Sequence, residues 1–141
     1  MAAYSRTSGL VTAIALSAAA YSCSPSELPM APTPFTTGVI LYEHANFLGN
    51  SAHLTADVAD LRDFRGPCSP NEDGAPQNWN DCVSSVKVAP GWSATIYRDP
   101  NYRDDALELT EDMANLQLVP GSDCARGGLN DCVSSLRVRQ P

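Results

Sequence analysis

The chain has 141 residues, 43% of them hydrophobic, and a formal net charge of −7. That length holds one domain plus a targeting segment, and the hydrophobic content excludes a chain disordered throughout. The acidic balance excludes nucleic acid as a partner, because affinity for a phosphate backbone comes from clustered Lys and Arg, and it suits a cation.

The first 22 residues read as an export signal. Arg6 supplies a short positive region, and Leu10 to Ala20 is an apolar run too short to span a bilayer. Tyr21, bulky where such signals carry small residues, then Ser22 and Cys23 follow, an order that resembles a bacterial lipoprotein signal in which Cys23 becomes the lipidated first residue. Cleavage near Ala18 to Ala20 by an ordinary signal peptidase is the other reading, and both stand. The expected location is therefore secreted or at the cell envelope, with membrane contact only through such a lipid. Residues 23–37, with prolines at 25, 29, 32 and 34, form a semi-rigid tether, so the folded domain should occupy 38–141.

Within 38–141 the chain repeats itself, which divides it into motif 1 (38–90) and motif 2 (91–141). Tyr42 aligns with Tyr97, Asn46 with Asn101 and Phe47 with Tyr102. The register continues through Leu54-Thr-Ala-Asp57 against Leu109-Thr-Glu-Asp112, and through Leu61 against Leu116. After a loop that is longer in the first copy, the motifs end on Asn80-Asp-Cys-Val-Ser-Ser85 and Asn130-Asp-Cys-Val-Ser-Ser135. In chain order the predicted strands are 38–42, 51–54, 83–88, 92–97, 106–109 and 133–138, several with apolar–polar alternation and with Gly, Pro, Asn and Asp between them. Asp57 to Phe64 and Asp112 to Leu116 are each expected to form one helical turn. Several short strands with turn signals indicate a sandwich or barrel.

The spacing Tyr42-x4-Phe47-x-Gly49 resembles the Greek-key signature of the βγ-crystallins. Two aromatics stack over a folded hairpin and the glycine supplies a positive φ. Tyr97 and Tyr102 keep the aromatics in motif 2, while Asp104 replaces the glycine. The two hexapeptides resemble the calcium-binding signature of the same family, [Asn/Asp]-[Asn/Asp]-x-x-[Ser/Thr]-Ser. The resemblance implies an all-β, βγ-crystallin-like Greek-key β-sandwich of two tandem four-stranded motifs. It also implies up to two Ca2+ ions in a double clamp, each served by both loops. Asn80, Asp81, Ser84, Asn130, Asp131 and Ser134 would offer side-chain oxygens, and Glu43 and Arg98 their backbone carbonyls. Calcium wants six to eight hard oxygens, and these loops are dense in them.

Five cysteines is an odd number. With Cys23 lipidated or removed, Cys68, Cys82, Cys124 and Cys132 make an even set suited to an oxidising compartment. Repeat symmetry favours Cys68 with Cys82 and Cys124 with Cys132; a zinc site is the alternative, without the C-x2-C pair such sites use. His44 and His53 have no partner constellation and read as surface residues, while Trp79 and Trp92 read as core or core edge. No nucleophile elbow, zinc-protease, P-loop or dinucleotide motif is present, so the chain is not expected to be an enzyme. The expected function is an exported, monomeric calcium-binding domain with a structural, stress or envelope role. The alternative is an inhibitor of extracellular metalloproteases that meets its protein partner through residues 66–78.

Overall fold

The computed structural model describes residues 34–68, 76–120, 124 and 128–140. The export signal, Cys23 and the tether up to 33 lie outside the described residues, as do 69–75 of the motif 1 insert. Among the described residues seven strands follow in order: β1 (Val39–His44), β2 (Leu48–Leu54), β3 (Arg65–Cys68), β4 (Ser85–Val88), β5 (Ser93–Asp99), β6 (Arg103–Leu109) and β7 (Ser135–Arg139). They form two antiparallel three-stranded sheets, β2-β1-β4 and β6-β5-β7. The all-β Greek-key expectation holds. The segment after the second strand of each motif leaves its own sheet and touches the other at a single bridge: Val58 with Leu136 of β7, and Met113 with Val86 of β4.

That crossing also displaces the two expected helical turns, the first of which shrinks to a turn closed by Asp63 N to Asp60 O and Phe64 N to Leu61 O. The N–H and C=O of Val58 bond to Leu136, and those of Met113 bond to Val86, so neither is free to bond within a helix. The Asp57 carboxylate accepts from Val138 N at 2.9 Å, and Asp112 accepts from Val88 N at 2.9 Å, each fastening its segment to the opposite motif. The one helical turn in this region is 3-10 and lies later, at Leu116–Leu118.

Alternation sets the core. Val39, Leu41, Val86 and Val88 from one sheet meet Ala94, Ile96, Leu136 and Val138 from the other, with Leu54, Leu61, Leu109, Leu116, Trp79 and Leu129 closing the ends. Each large buried aliphatic here contributes about 1.5–3 kcal/mol relative to exposure. Trp79 is buried and Trp92 packs partly buried against the cluster, while His44 and His53 are exposed. Strands β2 and β6 start earlier than predicted, at Leu48 and Arg103, directly after the folded hairpins. Strand β4 starts later, at Ser85, because the residues before it are committed to the opposite loop. β3 was not predicted; it pairs back on Asn78 within the insert.

The aromatic corners form in both motifs. Tyr42 meets Phe47 edge-on at 5.7 Å, Tyr97 meets Tyr102 at 5.8 Å, and Lys87 and Arg137 cap Phe47 and Tyr102. Phe47 (φ 62) and Tyr102 (φ 60) sit in the left-handed region, a strained place for an aromatic residue. A fully buried serine holds each there. Ser85 Oγ accepts from Phe47 N at 3.0 Å and donates to His44 O at 2.7 Å; Ser135 Oγ accepts from Tyr102 N at 3.0 Å and donates to Asp99 O at 2.6 Å.

Replacing Ser85 or Ser135 with alanine strands a buried N–H and a carbonyl, so each change should cost about 1–3 kcal/mol in urea unfolding; a cost near zero would contradict the clasp. The Arg139 guanidinium, with help from Val138 N, holds the Asp57 carboxyl below the usual carboxylate range. Its stabilisation is complete above the unfolded pKa and fades as pH falls through the folded one. Unfolding followed from about pH 5 to pH 2 should therefore show a shallower loss of stability in Asp57→Asn than in the wild type; identical slopes would remove Asp57 from the acid response.

Candidate metal centre

The two hexapeptides end the long loops of their motifs and enter β4 and β7. Asp81 and Asp131 share a left-handed φ of 52°, which acidic residues tolerate better than most. This conformation turns each amide toward the other loop: Asp81 N donates to Val133 O and Asp131 N to Val83 O, both at 3.1 Å. The hexapeptides therefore lie against each other, each braced by the other's backbone.

Two oxygen clusters result. In the first, Ser84 N donates to Tyr42 O at 2.9 Å, which places the buried Ser84 hydroxyl 2.7 Å from Glu43 O and 3.1 Å from Asp131 Oδ1. Three oxygens meet there with one hydroxyl proton among them. In the second, Ser134 N donates to Tyr97 O at the same 2.9 Å, setting Ser134 beside Arg98, and its hydroxyl bonds the Asp81 carboxylate. Each cluster thus takes its serine from one motif and its carboxylate from the other, and in the first the Glu43 carbonyl joins the serine. Asn80 lies at the edge, its Nδ2 donating to Asp81 Oδ2 at 2.7 Å while its buried Oδ1 has no hydrogen-bond partner among the described residues. Asn130 holds the matching half-buried position before Asp131.

Burial of its carboxyl raises the Asp81 pKa, and the nearby Asp131 charge adds to this; hydrogen bonds from Ser134 and Asn80 and the Arg62 cation oppose it. The residue's outer surface remains open to solvent. Near the first cluster, hydrogen bonds from the Asn50 side chain and backbone hold the Glu43 carboxyl below its usual range. Among the described residues no group of three or more His, Cys, Asp and Glu converges as a metal cluster. Each candidate site is one carboxylate supplemented by neutral oxygens, a donor set for a weakly held hard cation rather than zinc.

Disulfides Cys68–Cys82 and Cys124–Cys132 have Cα separations of 5.9 and 6.2 Å. Each enters its hexapeptide one residue after the aspartate and ties it to the preceding loop. β3 and Asn78 lie beside the first bridge, next to an open groove of about 430 Å³ lined by Asn50, Ser51, Arg65, Gly66, Pro67, Gln77 and Trp79. Sequence reasoning missed Ser85, Ser135, Asp57 and Asp112, although their duplication at equal register in both motifs was a visible signal. It also missed Arg62, which only the fold brings to the second cluster.

Crossed sheets, paired aromatic corners and interlocked Asn-Asp-x-x-Ser-Ser loops define a double Greek-key domain. Comparisons agree. Residues 40–110 match the model described as Peptidase inhibitor family I36. Spherulin-3A of Physarum polycephalum is 35% identical over 100 residues, spanning 71% of this chain and 80% of that protein. A solved structure reported as "Evolution of the eye lens beta-gamma-crystallin domain fold" aligns with a TM-score of 0.56 and 32% identity, covering 79% of this chain and 93% of that one. A βγ-crystallin domain from Flavobacterium johnsoniae aligns with a TM-score of 0.52 and 26% identity, covering 72% and 93%. The chain belongs to the βγ-crystallin-type domains and to peptidase inhibitor family I36. The families matched are a peptidase inhibitor family and crystallin-type domains rather than enzyme families.

Replacing both cysteines of either bridge with serine should lower stability by about 2–4 kcal/mol through the lost loop constraint. Equilibrium denaturation of the two double variants measures this; an unchanged midpoint for both would mean the loops are held without the bridges.

Proposed function

We propose that the domain binds up to two Ca2+ ions outside the cytoplasm as a monomer and is stabilised by them in a structural, stress or envelope role. Glu43 O, Ser84 and Asp131 would hold one ion; Arg98 O, Ser134 and Asp81 would hold the other. Asn80 and Asn130 would complete the shells together with water. The observation that carries this reading is the Ser84 hydroxyl lying within hydrogen-bond distance of two further oxygens drawn from both motifs. A cation entering there would relieve the repulsion among oxygens that share too few protons. A cation at the second cluster would meet the desolvated Asp81 carboxylate, with Asn80 Oδ1, unpartnered among the described residues, at its edge. Two disulfides beside the loops support an oxidising location, as does the apolar run read as an export signal.

Extracellular calcium modules bind with dissociation constants on the order of 0.1–1 mM. Calcium at ten times such a value would add about 1.4 kcal/mol per site. Calorimetric titration of the oxidised protein should show up to two sites, with Ser84→Ala and Ser134→Ala each weakening one, and millimolar Ca2+ should raise the melting temperature. Absence of both heat and thermal shift would refute this reading.

A second reading is favoured by the match to peptidase inhibitor family I36 over 40–110, which includes the insert pinned by Cys68–Cys82. On this reading the exposed face around β3 contacts an extracellular metalloprotease. Purified protein titrated against a panel of such proteases should then give stoichiometric loss of activity, and no loss at micromolar protein would exclude it.

A further inference from the structure

The repeat relates the two oxygen clusters residue by residue, yet their flanks carry different charges. Leu61 N donates to Ser134 O at 2.8 Å, which sets the next residue, Arg62, beside the Ser134–Asp81 cluster. In the other motif Leu116 N donates to Ser84 O at 2.9 Å, which sets Gln117 beside the Ser84–Asp131 cluster. The same backbone bond thus delivers a cation to one cluster and a neutral amide to the other.

Arg62 is held in place. Its Nε and Nη2 grip the Asp60 carboxylate at 2.9 and 2.6 Å, and its N–H donates to Asp60 Oδ1 at 2.9 Å. The counterpart of Asp60 is Asn115, whose side chain accepts from Gln117 N at 2.9 Å. A charged pair in one motif therefore replaces a neutral pair in the other, and its guanidinium end is the one felt at Asp81.

The strand carbonyls differ in the same sense. Glu43, whose carboxylate accepts from Asn50 N and Nδ2 at 3.2 and 2.8 Å, flanks the first cluster with an anion. Its counterpart Arg98 flanks the second with a cation. Arg98 Nη1 lies 3.8 and 3.6 Å from Asp104 and Asp105, which stand where motif 1 has Gly49 and Asn50. Asp104 keeps the glycine-like φ of 65° despite its side chain, so the turn retains a strained residue whose carboxylate draws the Arg98 charge outward.

We propose that these flanks make the clusters unequal cation sites, strong at Glu43–Ser84–Asp131 and weak at Arg98–Ser134–Asp81, with Arg62 the side chain that sets most of the difference. The inference rests on the calcium reading above. A fixed positive charge near a divalent ion lowers affinity in a way that added salt screens.

Calorimetric titration of the full oxidised protein with CaCl2 tests it. The wild type should show two separable steps, the tighter one weakened in Ser84→Ala. Arg62→Gln should tighten the weaker step by roughly three- to tenfold and leave the tighter one in place, with the gain shrinking in about 0.5 M salt. Asn115→Asp with Gln117→Arg transplants the charged pair to the other motif on exposed surface and should weaken the tighter step by a similar factor. Melting of both variants in EDTA checks their folding; if Arg62→Gln is unfolded, the transplant decides. Two equal steps that neither variant moves would overturn this proposal while leaving calcium binding intact. No binding by the wild type would overturn the calcium reading, and this inference with it.

Discussion

The reciprocal pair of backbone hydrogen bonds between the hexapeptides, Asp81 N to Val133 O and Asp131 N to Val83 O, is the constraint on which the remaining structure depends. Neither bond can form within one motif. Each requires an aspartate in the left-handed conformation, of a kind that costs on the order of 1–3 kcal/mol where it persists and is found at ligand clamps. Once both form, each loop becomes the floor of the other. Ser84 is then set beside the carbonyl of Glu43 and Ser134 against that of Tyr97, and the two carboxylates cross to the opposite motif's serine.

The rest of the fold keeps that crossing in register. Val58 and Met113 tie each motif's middle segment to the other's last strand, and Asp57 and Asp112 fasten the same segments to Val138 and Val88. Ser85 and Ser135 lock the folded hairpins and hold the strands that supply the carbonyls. The disulfides brace the loops from behind. Local strain at Asp81, Asp131, Phe47 and Tyr102 is thus opposed by contacts that join distant parts of the chain, so the clusters are set largely by the fold before any ion arrives.

Much of this was legible in the sequence because the repeat doubled every signal. Tyr42 and Phe47 mark a corner once, and Tyr97 and Tyr102 mark it again. Val86-Lys-Val88 and Leu136-Arg-Val138 each show which face is buried. The Cys68–Cys82 and Cys124–Cys132 pairing follows from the same symmetry and is what the structure contains. What could not be read was the partner of each segment. Asp57 to Phe64 has the composition of a helical turn, and only the presence of Leu136 across from Val58 explains why its first residues bridge to β7 and leave the turn to residues 60–64. Arg62 is an ordinary surface arginine in the sequence; its place beside Ser134 follows from a hydrogen bond spanning two motifs. β3 is short, and its hairpin partner Asn78 gives no strand signal of its own.

The crossed composition of the sites is the central claim, and paired substitutions separate it from a simpler scheme in which each loop holds its own ion. Ser84 and Asp131 share a cluster but not a loop; Ser84 and Asp81 share a loop but not a cluster. Calcium stoichiometry should fall to one ion per chain in Ser84→Ala with Asp131→Asn, and to none in Ser84→Ala with Asp81→Asn. The reverse pattern, one ion left by the same-loop pair and none by the cross-loop pair, would contradict the account.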